Sequence, residues 1–133
     1  RGNALLWILH AGYGALAAGL ILRGVAVLTS AVPVDLAVHV LTVGAVGITT
    51  LAMLTRVSLG HTGRAMRLAW PVLVAYGTLI AAAIVRLAAP VLPDTLYIPA
   101  LHLSGVLWAI AFALFVLVYA PILIQRRPDG KPG

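Results

Sequence analysis

Glutamate and cysteine are both missing from these 133 residues, and aspartate occurs only at positions 35, 94 and 129. Without cysteine there is no disulfide, no thiolate metal site and no cysteine nucleophile. Without glutamate, and with the aspartates scattered, paired-carboxylate chemistry fails, and Ser58, Ser104 and the threonines lack a carboxylate-backed base. The composition therefore points away from an enzyme with a conventional acid–base site. Only 9% of the residues are charged, against about 25% in soluble domains, too few to cover a water-facing globule. A mean hydropathy of +1.09 agrees with an integral membrane protein. The net charge of +6 does not indicate nucleic acid, because the cations flank apolar segments instead of forming one basic face.

Four segments reach the roughly 20 apolar residues that cross a ~30 Å hydrocarbon core: residues 4–28, 36–55, 68–89 and 98–124. Pro33, Pro90, Pro93 and Pro99 punctuate two short connections on one side. The expected fold is all-α, a four-transmembrane-helix bundle of two tandem helical hairpins in a single domain. The chain opens on Arg1, not Met, so an upstream segment is expected. A cleavable signal peptide is not, because the first segment is too long and lacks a small-residue cleavage pattern. Arg56, Arg64 and Arg67 lie in the 56–67 loop and Arg126, Arg127 and Lys131 in the tail, whereas the connections around Asp35 and Asp94 hold no Lys or Arg. The positive-inside rule then places the loop, the tail and the N-terminus in the cytoplasm. Within the loop, "GHTGR" lacks the spacing and lysine of a phosphate-binding Walker loop. Its glycines could form a backbone anion nest beside Arg64.

The chain also aligns with itself. Residues 13–43, "YGALAAGLILRGVAVLTSAVPVDLAVHVLTV", lie without a gap over residues 76–106, "YGTLIAAAIVRLAAPVLPDTLYIPALHLSGV". Tyr13-Gly14 falls on Tyr76-Gly77, Arg23 on Arg86 and His39 on His102. Each unit holds two spans, so both units have the same orientation, related by an approximate two-fold axis along the bilayer normal. Arg23, Arg86, His39 and His102 are then expected at one depth, on the side opposite the basic loop.

Ionisable residues within spans mark functional positions by default, and two histidines with two arginines suit a b-type haem. The imidazoles can ligate iron axially, and the guanidiniums can pair with the propionates. At about 100° per residue, Gly105, Ala109 and Ala113 share the face of His102, a shallow trough. Thr42, Thr50 and Met53 share that of His39. A histidine pair also accepts copper. Plainer readings stand beside these: small-residue stripes pack helices, histidines hydrogen-bond, and arginines near helix ends snorkel to the headgroups. His10 and His61 lie outside the repeat on the cytoplasmic side, where they could form a second metal site, His61 could serve a haem's inner face, or each could take an ordinary structural role.

Three stretches, "LHAGYGALAAGLILRG", "HVLTVGAVGITTLAMLTRVSLGHTGR" and "LWAIAFALFVLVYAPILIQRRPDGKPG", resemble the C-terminal part of the NnrS family of bacterial membrane proteins. The LGHTGR element and the R-x-D-G-x-P-G ending are its most specific parts. The family has more spans than this chain, which resembles its final third or a shortened relative. The resemblance implies a bacterial inner-membrane protein containing haem and copper, linked to denitrification and protection against nitric oxide. It also implies roles for His10, His39, His61 and the Gly60–Arg64 run, and partners among other transmembrane subunits or a missing portion of the same chain. The competing expectation is a small structural subunit of a larger respiratory complex with no cofactor of its own. A transporter fragment is disfavoured, because no acidic residue lies mid-membrane to couple ions.

Overall fold

Proline and aspartate open two of the four helices. In this computed structural model, which describes residues 4–29 and 31–130, helix α1 covers Ala4–Thr29. Helix α2 covers Val34–His61 and α3 Trp70–Val91, the latter finishing in a 3₁₀ turn, Ala89–Val91. Helix α4 covers Asp94–Ile124. Pro33 and Pro93 cap α2 and α4, and Asp35 and Asp94 lie in the first turns, each complementing the helix dipole by about 0.3–1 kcal/mol. Pro71 enters the first turn of α3, where its missing N–H would have had no helical acceptor. All four helices are long and apolar enough to span a bilayer, and the fold is the expected all-α, four-helix membrane-spanning bundle. Lys131 and the end of the R-x-D-G-x-P-G motif lie outside the described residues.

Helix α2 departs from expectation in two ways. It does not stop near residue 55 but runs on through Arg56 to His61, because no residue there breaks a helix before Gly63 turns to φ +65°. It also contains a π-helical stretch, Val40–Gly47, starting one residue after His39. The wider π turn shifts the register, so counting 100° steps from His39 fails beyond it. Thr42 still lines the cleft that His39 faces, but Thr50 and Met53 face a different groove. The gapless sequence repeat also stops inside this stretch.

Each hairpin is held by close approach. A side chain at Gly12 would overlap the Thr49 methyl, and a Cβ at Gly19 would meet the Leu41 side chain at 2.5 Å. The second hairpin uses the same positions differently: the Ser104 hydroxyl donates to the Ala82 carbonyl at 2.9 Å. Gly19 and Ala82, like Leu41 and Ser104, stand 63 residues apart, so one contact recurs at equivalent places. The hairpins join where α2 meets α3, and α4 also reaches α2 toward the basic end. There Ile8, Leu51, Ala52, Val72, Tyr76, Leu79, Phe115 and Tyr119 form a core drawn from all four helices. Lipid tails are as apolar as these side chains, so shape and close contact hold them together, not expulsion of water.

Gly19→Leu is expected to wedge α1 from α2 and to destabilise the protein by about 1–3 kcal/mol, the range for overpacked sites. Gly14, beside which a Cβ meets nothing within 4 Å, tolerates the same change. Thermal unfolding in detergent compares the two.

Candidate functional site

Polar side chains gather at both ends of the bundle. At the far end, away from the basic loop, Arg86 from the last α-helical turn of α3, just before its 3₁₀ end, places Nη2 2.8 Å from Nε2 of His39. A guanidinium only donates, so Nε2 accepts and the ring proton belongs to Nδ1. That Nδ1 is buried and has no hydrogen-bond partner among the described residues, a situation that costs about 1–3 kcal/mol. The pair opens into a cleft of about 370 Å³, walled also by Thr42, Leu101, Ser104, Gly105 and Trp108. Among the described residues the ion pair is Arg127–Asp129, so Arg86 brings a positive charge into the cleft with no carboxylate to balance it. This arrangement favours an anionic or strongly hydrogen-bonding ligand.

The other residues singled out from sequence lie elsewhere. His102 is exposed on α4 and away from the cleft, which takes Leu101, Ser104, Gly105 and Trp108 from that helix. Arg23 is exposed on α1; neither residue makes a hydrogen bond or ion pair among the described residues. The grouping of two histidines with two arginines is thus half assembled in the single chain. His10 is exposed, with Nδ1 2.7 Å from the Leu6 carbonyl oxygen. His61 is exposed and lines a cleft at the basic end with Met53, Met66, Arg56 and Arg127, a cleft His10 does not line. Among the described residues no three His, Asp or Glu side chains are grouped to hold a metal ion.

At the basic end the two most specific motifs of the sequence turn out to bind each other. Helix α2 ends in a Schellman turn: Gly63 N–H donates to Gly60 O at 3.2 Å, and Arg64 N–H to Leu59 O at 3.0 Å. Gly63 takes the left-handed conformation that this turn requires. Buried Thr62 donates its hydroxyl to Ser58 O at 2.6 Å. Arg64 then crosses to the end of α4, donating to Ile122 O at 3.4 Å and Gln125 Oε1 at 3.1 Å. From the tail, Arg127 donates to His61 O at 3.0 Å and grips Asp129 with two bonds of 2.9 and 2.7 Å. That grip holds the Arg127 pKa above its ordinary value. The Asp129 carboxylate lies so near Gly63 that a Cβ there would come within 2.7 Å of it. The anion beside the "GHTGR" glycine is therefore the protein's own. Sequence reading missed Arg127 and Asp129 as partners of this loop; the signal was an opposite-charge pair two residues apart in a Pro-Asp-Gly turn.

Gly63→Ala should destabilise the basic end by at least the about 1–2 kcal/mol of a left-handed non-glycine residue, and Asp129→Ala should relieve part of that loss by removing the clash. A double-mutant cycle on thermal stability in detergent checks the coupling.

No curated protein and no solved structure matches the chain. The family comparison is positive: residues 1–127 match the model of the NnrS protein. The match takes in the cleft residues and the loop–tail contacts as far as Arg127, and the chain belongs to the NnrS family.

Proposed function

We propose that this chain is a haem-associated, and secondarily copper-associated, element of a bacterial inner-membrane protein acting in nitric oxide and denitrification-related metabolism. It binds a ligand or carries electrons. Family membership supports the class. The observation that carries the site is the Arg86–His39 pair, a cation without a carboxylate beside an imidazole whose Nδ1 is buried and unpartnered.

The donor chemistry fits a haem in kind. His39 would hold the iron and Arg86 a propionate, and the bound group would supply a one-electron centre able to meet a small ligand such as nitric oxide. The present contact sets a condition on this. The Nε2 lone pair accepts from Arg86, so it is free for a metal only when the guanidinium turns to an anion instead. His102 belongs to a separate, outward-facing position. For copper, the basic end offers His61 beside the thioethers of Met53 and Met66, donors suited to Cu(I), although Arg56 and Arg127 on the same cleft oppose a bare cation. The positive-inside rule puts this basic end in the cytoplasm and the His39 cleft on the opposite face.

Reduced-minus-oxidised optical spectra of the purified protein test the haem site. His39→Ala is expected to abolish b-type bands, Arg86→Leu to lower haem retention, and His102→Ala to leave the bands in place. A colourless, metal-free protein that copurifies with a large membrane complex would overturn the reading in favour of a structural accessory subunit.

A further inference from the structure

The contact between the two hairpins is built from one half of each repeat unit. Arg86 comes from the first helix of the second unit and His39 from the second helix of the first. Their repeat equivalents, Arg23 and His102, sit on the outer helices α1 and α4, where among the described residues neither has a hydrogen-bonding or ionic partner. At 1.5 Å per residue, Arg23 lies about 9 Å inside the far end of α1 and His102 about 12 Å inside that of α4. The two unmatched halves are thus at closely similar depth.

The surfaces around them repeat the pattern. Tyr76 of α3 is 3% exposed, while its equivalent on α1, Tyr13, is 66% exposed. Ala83 is 6% exposed and its equivalent Leu20 58%. On the other side of the junction, Val40 of α2 is 7% exposed and its equivalent on α4, Leu103, 51%. The faces of α3 and α2 that are covered within the chain therefore reappear uncovered on α1 and α4. Tyr13 is nine residues into α1, about 14 Å along the helix from Ala4, away from the helix ends where tyrosine is enriched in membrane proteins.

We propose that a second copy of this chain docks in parallel so that its α4 covers α1, pairing Arg23 of one copy with His102 of the other as Arg86 pairs with His39 within each. Both copies share one topology, so equivalent groups meet at equal depth, and the contact extends an interface that the protein already forms. The pairing gives each charged group the neutral partner that its equivalent has. The inference does not depend on any cofactor.

The absence of cysteine permits a direct test. Two differently tagged forms of the full chain, one Arg23→Cys and one His102→Cys, are coexpressed and treated in membranes with a short bifunctional thiol reagent. Covalent dimers containing one chain of each form are expected, several-fold above those from an Ile84→Cys and His102→Cys pair, Ile84 being exposed on α3. Dimers no more abundant than in that control would overturn the proposal, leaving Arg23 as a snorkelling cation or α1 covered by a different partner. Thermal melting of each single variant at the parent temperature establishes that the substitutions leave the fold intact.

Discussion

Scarcity of carboxylates governs how this protein satisfies its cations. Nine Lys and Arg face three Asp, and two of those aspartates are spent at the starts of α2 and α4. Three of the guanidiniums consequently bind neutral acceptors. Arg86 takes an imidazole nitrogen, Arg64 a backbone carbonyl and a glutamine side chain, and Arg127 a backbone carbonyl together with the one remaining carboxylate. Charge-assisted bonds are directional, and these tie α3 to α2 at one end and the end of α2 to α4 and the tail at the other. Between the ends, glycine and alanine contacts set how close the helices come.

Much of this was legible in the sequence, for identifiable reasons. Span number, connections and fold class follow from hydropathy and from Pro33, Pro93, Asp35 and Asp94, because the bilayer permits little else. The boundary of α2 was misplaced because arginine and histidine signal an interface without breaking a helix, and only Gly63 ends it. The π stretch left no mark in the pattern of apolar residues, so the faces assigned to Thr50 and Met53 moved.

The site was legible in part. The repeat isolated Arg23, Arg86, His39 and His102, and the structure brings Arg86 and His39 together. The repeat implied that all four share a depth but did not say which face of each helix looks inward. Which hairpin edge meets which is decided by tertiary packing across α2 and α3, information that a self-alignment does not carry. The basic loop shows the converse: its motif stands out, but its partner lies more than sixty residues away in the tail, where the Arg127–Asp129 pair marks a charged turn without saying which segment it meets.

The loop–tail clamp also bears on the order of events during synthesis. Its carboxylate is at position 129, after all four spans, so Gly63 and Arg127 cannot be locked until α4 has been made and has returned to the basic side. Until then the end of α2 relies on its Schellman turn alone, and the two hairpins are joined chiefly at the α2–α3 junction. The final residues of the described chain therefore act as a fastener between the end of α2 and the tail that follows α4. In kinetic terms, the clamp between loop and tail can close only after all four spans described here have been made.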